Sequence, residues 1–213
     1  FQKDTPVEHK SDRTPVTAAD RGAEELVRER IERAFPTHGI VGEEHGVKAG
    51  SEPARWILDP IDGTFSFISG VPLYAVLVGF EWEGSAVAGV IHMPALSEMI
   101  FAARGLGTTW NGRRARVSET ASLSDATLVY ASAKWPAENG RGAEFSRLLA
   151  ACGKDRGWCD AYAYALVATG RAEIALDPIM ALWDTAALYP VVTEAGGTLT
   201  DWKGNRTHTA PEA

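Results

Sequence analysis

Asp59 and Asp62 stand three residues apart at the end of an apolar run, Trp56-Ile57-Leu58, and Gly63-Thr64 follow at once. Two carboxylates beside a buried strand are costly unless a cation compensates them. Gly63 lets a ligand approach the backbone closely, and N–H groups exposed there can hold phosphate oxygens. The candidate ligands are all oxygens, with no nearby His or Cys, which selects a hard cation, Mg²⁺ or Mn²⁺, over zinc. The chemistry this points to is metal-assisted hydrolysis of a phosphate ester.

Two further acids fall at element edges. Glu43 follows Gly39-Ile40-Val41-Gly42, which reads as a short strand, and Asp184 opens a helix spanning Trp183 to Ala195. Taken singly, Glu43 and Glu44 also fit a solvated pair, Asp184 a first-turn acid facing the helix dipole, and Asp59 a turn residue before Pro60. The Asp59/Asp62 pair is harder to read that way.

The elements that must position these acids are legible in part. Ala23, Leu26, Val27, Ile31 and Ala34 recur at helical spacing, with Asp20 as the expected N-cap and Pro36 marking the end. Residues 56–59 read as a strand. Apolar runs near 74–82, 86–92 and 99–103, broken by turn signals, predict an antiparallel meander. Asn111-Gly112 predicts a tight hairpin. Residues 126–132 and 172–176 read as strands, and 143–151 and 161–169 as helices. Pro190 is expected to bend the helix that Gly196-Gly197 closes. The pattern is α+β with layered helices and sheets.

Bulk properties narrow the function. A chain of 213 residues forms one domain, or two packed lobes, with a core that needs no disulfide framework. Its net charge of −7 argues against nucleic acid and anionic membrane as partners. It does not argue against a phosphorylated substrate, because bound cations reverse the local field. Cys152 and Cys159 read as free thiols. No membrane-length apolar run and no signal peptide are visible, so a cytoplasmic location is expected. The start at Phe1 without Met, and the abrupt stop at Ala213, suggest that residues are absent at both ends.

The chain resembles the inositol monophosphatase superfamily of Mg²⁺-dependent phosphatases. Gly42-Glu43-Glu44, Asp59-Pro60-Ile61-Asp62-Gly63-Thr64, Trp183-Asp184-Thr185-Ala186-Ala187 and Glu194-Ala195-Gly196-Gly197 carry the resemblance, which runs from about Lys10 to Trp202. It implies a layered αβαβα sandwich and a homodimer. The lobe of about residues 1–120 would carry most metal ligands, and that of about 121–213 Asp184 and substrate specificity. It also implies a helix before Phe1 and another after Ala213. Glu43, Asp59, Asp62, Asp184 and the Ile61 carbonyl match the ligands of two or three Mg²⁺. Thr64, with Asp20, matches the pair that activates the attacking water, and Glu43 counts with them as catalytic. Gly63 and Thr64 match backbone donors to phosphate.

The second half resembles the histidinol-phosphatase branch, where Arg-x-Trp-Gly-Asp-x-Tyr is usual. Here Arg156-Gly157-Trp158-Cys159-Asp160-Ala161-Tyr162 has Cys159 in place of the glycine, and Ser66 to Pro72 also matches. Phe65 stands where relatives often carry Lys. The branch implies that Arg156, Asp160 and Asp177 contact the substrate. Acids flanking the leaving group suit a cationic alcohol such as L-histidinol, and an unpaired carboxylate penalises a neutral polyol. Asp160 reads equally as an N-cap. The expected activity is hydrolysis of L-histidinol phosphate. The alternatives are inositol-1-phosphate or another small phosphomonoester, and, from a different class, a non-catalytic binding protein.

Overall fold

The computed structural model describes residues 6–9, 15–158 and 160–213. Lys10, Cys159 and the opening residues Phe1 to Lys3 lie outside the described residues. The chain runs β1 (Val7–His9), β2 (Pro15–Thr17), α1 (Ala18–Ala34), β3 (Gly39–Gly42), β4 (Gly46–Lys48), β5 (Ala54–Asp62) and α2 (Thr64–Ile68). A meander follows: β6 (Ala75–Trp82), β7 (Ser85–Met93), β8 (Glu98–Ala103), β9 (Gly107–Trp110) and β10 (Arg113–Ala115). Then come β11 (Thr127–Tyr130), α3 (Trp135–Glu138), α4 (Gly142–Ala151), β12 (Lys154–Arg156), α5 (Ala161–Ala168), β13 (Ile174–Leu176) and α6 (Leu182–Glu194).

The fold is a layered sandwich of helices and sheets, and side-chain alternation shows why it layers. Eight strands join in the order β10-β9-β8-β7-β6-β5-β3-β4, and β12-β11-β13 form a small parallel sheet. Within β3 and β5, Ile40 and Leu58 turn to one face and meet Val27 and Ile31 of α1. Their neighbours Val41 and Ile57 turn to the other and meet Leu182, Trp183 and Ala186 of α6. Successive side chains on a strand point to opposite faces, so two apolar faces demand a helix on each side. The far side of α6 joins α5, and that pair meets Val129 and Ala175 of the small sheet in the largest apolar core.

Helix α6 lies unusually close to the large sheet. Gly79 and Gly89 face each other across β6 and β7. A Cβ on Gly89 would stand 2.1 Å from the carbonyl oxygen of Ala187, and one on Gly79 would stand 2.8 Å from the Cβ of Ala186. The glycines thus form a flat seat for the turn after Asp184. Gly89→Ala should destabilise the protein by about 3 kcal/mol, since backbone cannot move aside cheaply. The melting temperature should then fall by roughly 6–12 °C. Gly22→Ala in α1, where nothing lies within 4 Å, should raise it slightly. Equal responses would mean that the seat is not tight.

Two local expectations change. Asp20 is the third residue of α1 and not its N-cap; Thr17 holds that position. Thr17 Oγ1 accepts from Ala19 N at 3.1 Å, and Asp20 Oδ2 accepts from the Thr17 N–H and hydroxyl, both at 2.7 Å. Ala18 and Ala19 are good helix formers, so the helix starts at the earlier cap. Strand β5 also runs on to Asp62, through Pro60.

Candidate metal and phosphate site

The site forms where parallel strands β3 and β5 end. Gly42 pairs with Leu58, and the Glu43 N–H donates to Leu58 O at 3.2 Å, so Glu43 and Asp59 emerge side by side. Alternation alone would send Asp59 and Asp62 to opposite faces. A register shift between them, three steps on β5 against two on β6, removes that conflict. Asp59 Oδ1 accepts from Ile61 N at 3.0 Å, which folds the chain back at the irregularity. Gly63 follows with φ of 78°, a left-handed conformation that a side chain would strain. The third acid arrives from α6: Asp184 Oδ2 accepts from Ala181 N at 2.6 Å.

Carboxylate oxygens of Asp59, Asp62 and Asp184 lie within 4.8 Å of one another, and Glu43 hydrogen-bonds Asp59. Burial drives Asp59 well above the usual carboxylate range, and Asp62, Glu43 and Asp184 push it further. Asp62 is raised by burial and then by Asp160 and Asp184, against one Ala161 N–H at 2.6 Å. Asp184 is raised to about 6, chiefly by burial, although the Ala181 N–H opposes this. A hard cation is what this donor set lacks: oxygens converge, they repel, and bound positive charge would relieve all of them. The triad could hold a metal ion, and Glu43 stands beside it.

The acids continue into a cleft of about 100 Å³ lined by Asp62, Asp160, Asp177, Asp184, Trp135 and Tyr164, among others, with no Lys, Arg or His among its lining residues. Burial raises Asp177 to about 7 although Ile179 N donates to it at 3.1 Å. Asp160 occupies the N-cap position of α5 at φ of 58° yet makes no capping bond with its side chain. It turns to the Asp-Gly-Thr loop instead, where its Oδ2 would stand 2.9 Å from a Cβ on Gly63. A larger groove, about 400 Å³, lies between Phe145, Arg141 and Trp202. It holds charges of both signs and none of the converging acids, so size does not mark the site.

Other expected residues stand as follows. Thr64 Oγ1 donates to Ile61 O at 3.1 Å. Asp20 is fully buried and serves Thr17, while the adjacent Ala19 packs on Ile61 and Phe67. Arg156 is exposed, bonds to Asp155 O at 2.6 Å and is not among the residues lining the cleft. Tyr164 and Trp135 were not legible as site residues. Tyr164 sits four residues after Asp160 on α5, the same face. Burial raises its phenol far above normal, with Asp177, Asp184, Asp62 and Asp160 adding to the effect. Helical spacing from Asp160 was the available signal.

A sequence model of the inositol monophosphatase family matches residues 1–212. The chain belongs to that family. This inositol monophosphatase family member is 46% identical over 197 residues to the histidinol-phosphatase of Chlorobaculum parvum, covering 92% of this chain and 76% of that one. It is 40% identical over 211 residues to the histidinol-phosphatase of Streptomyces coelicolor, covering 94% and 79%. The extragenic suppressor protein suhB of Bartonella henselae superimposes with a TM-score of 0.89 at 34% identity, covering 95% and 79%. The family is metal-dependent, and in this phosphomonoesterase the Asp59, Asp62 and Asp184 triad could bind a metal ion. Among the described residues, no helix is long and apolar enough to cross a membrane.

The raised acids predict a pH dependence. Each binds its proton more tightly folded than unfolded, where Asp titrates near about 4. Their contribution to stability is therefore fully present below about pH 4 and is lost as pH rises through about 6 for Asp184 and about 7 for Asp177. In a chelator, the melting temperature should fall as pH is raised from 5 to 8. A flat or rising profile would refute this placement of the acids.

Proposed function

We propose that the chain hydrolyses L-histidinol phosphate to L-histidinol and phosphate with Mg²⁺ bound. Glu43, Asp59, Asp62, Asp184 and the Ile61 carbonyl would hold the metal, two or three ions per site. Bound there, Mg²⁺ would supply a Lewis acid that polarises the phosphoryl group and lowers the pKa of water. The observation that carries the substrate reading is the cleft itself: four carboxylates and no basic side chain line it. A leaving alcohol bearing an ammonium and an imidazole pairs with acids the metals do not consume, and a neutral polyol does not.

The residues divide the work. The Gly63 and Thr64 N–H groups hold phosphate oxygens at a turn that the left-handed glycine leaves open. The Thr64 hydroxyl, now on Ile61 O, passes the proton of the attacking water toward Asp20. Asp160, beside Gly63, and Asp177, at the cleft wall, receive the cationic part of the substrate. The water oxygen bonds to phosphorus, the P–O ester bond breaks, and the alcohol leaves with a proton. Positioning and electrostatics carry the rate, as phosphoryl transfer requires.

The test is phosphate release from a panel of phosphomonoesters, with and without Mg²⁺. Histidinol phosphate should exceed inositol-1-phosphate by at least about tenfold in kcat/KM, the worth of one well-placed charge pair. Faster turnover of inositol-1-phosphate would replace the substrate reading. No turnover of any ester with Mg²⁺ would favour a binding protein.

A further inference from the structure

Glu24 lies on α1, outside the acid cluster, and is 1% exposed. Three donors converge on its carboxylate. The Glu44 N–H reaches Oε2 at 2.7 Å, the His45 N–H reaches Oε1 at 3.1 Å, and Arg28 Nε reaches Oε1 at 2.6 Å. Arg28 also donates through Nη2 to the carbonyl of Gly46. Both backbone donors belong to the turn that follows β3, and Glu43 is the residue just before them.

Gly42, on the other side of Glu43, completes the arrangement. A Cβ there would stand 2.0 Å from Glu24 Oε1. The glycine leaves the niche that the Glu24 carboxylate fills, although its φ is not in the left-handed region. Glu43 is thereby held on three sides: its own N–H on Leu58 O, Glu24 under Gly42 before it, and Glu24 on Glu44 and His45 after it. An ion pair four residues apart on a helix stabilises little at a surface and is expensive to bury. Nothing in α1 itself demands that the carboxylate be buried, and the turn does.

We propose that Glu24 is a positioning residue for metal binding: it touches no metal and fixes the turn that aims Glu43 at the site. The inference rests on the reading of Glu43 as a ligand. Groups behind metal ligands commonly change affinity by about 10–100-fold when removed. Glu24→Gln keeps the size and one acceptor but presents an amide N–H to a backbone N–H, so the turn must shift.

The experiment measures Mg²⁺ affinity calorimetrically without substrate, alongside the Mg²⁺ needed for half-maximal phosphate release. Melting in a chelator reports folding. Glu24→Gln should stay folded, bind Mg²⁺ about tenfold or more weakly, and need correspondingly more Mg²⁺ for activity. Its kcat at saturating Mg²⁺ should change much less. Arg28→Met, which loosens the carboxylate without removing it, should shift affinity in the same direction by a smaller factor. Unchanged affinity in folded Glu24→Gln overturns the proposal. If that variant does not fold, unchanged affinity in Arg28→Met overturns it. Wild-type protein that binds no Mg²⁺ would instead overturn the metal reading on which this rests.

Discussion

Asp59→Asn should lower Mg²⁺-dependent phosphate release by more than about 100-fold, beyond what loss of a supporting contact costs, while making the metal-free protein more stable. The two effects share one cause. Asp59 is 3% exposed and stands among Asp62, Glu43 and Asp184. Asparagine has the same shape, and its carbonyl oxygen can still accept from Ile61 N, so the turn survives. Its amide adds donors that face acceptors on Glu43 and Asp184, without the proton that Asp59 must take up to sit among like charges. A metal ion, however, loses its most buried ligand. In wild type, Mg²⁺ at a hundred times its dissociation constant should add about 2.7 kcal/mol of stability. The variant should lose that gain, so the order of melting temperatures should invert between chelator and Mg²⁺. A variant that kept full activity, or melted lower than wild type in both conditions, would show that Asp59 is structural and not a ligand.

Asp177→Asn should lower kcat/KM for histidinol phosphate by about 10–100-fold, which is what a hydrogen bond to a charged group is worth. It should leave inositol-1-phosphate unchanged or improved. Asp177 is held by Ile179 N through one oxygen, and asparagine keeps that acceptor. What disappears is a charge facing the cleft. Burial raises this carboxyl to about 7, so a cation arriving beside it would favour ionisation and gain a partner. A neutral polyol gains no such partner and pays for desolvating the charge. The measurement is paired kinetics on both esters at pH 8. Equal losses on both would mean that Asp177 supports the site as a whole and does not select the substrate.

How much of this was legible in the sequence depends on the range of the forces involved. Apolar runs broken by turn signals marked the meander β6 to β8 to within a residue or two, because each strand buries a face. Asn111 and Gly112 both adopt positive φ, as the hairpin reading required. The edge strand β4 left no trace, since Gly46 to Lys48 is largely exposed and carries no alternation. Helix α2 has five residues, too few for a periodicity to show. Pro190 sits inside α6 without ending it, because the surrounding core holds that helix on both sides. At the site, Asp59, Asp62 and Asp184 could be named because motif spacing reports them. Tyr164 had only its helical spacing from Asp160 as a signal, and Trp135 reaches the cleft through the placement of α3, which no local pattern encodes.

The extra residue in β5 restricts how the length of this chain can drift. Removing any one residue between Asp59 and Asp62 would restore even pairing with β6 and keep both carboxylates on one face, but it would abolish the irregularity that Ile61 N closes on Asp59, and with it the placing of the Ile61 carbonyl and of Gly63. The sequence there can vary in letter but not in number. Insertions and deletions should instead be tolerated at the exposed turns Glu83-Gly84 and Asn111-Gly112, where the large sheet meets solvent and no ligand is counted from the strand end. A deletion scan along β5 and these two turns should separate them sharply, with metal binding lost at the first and kept at the others.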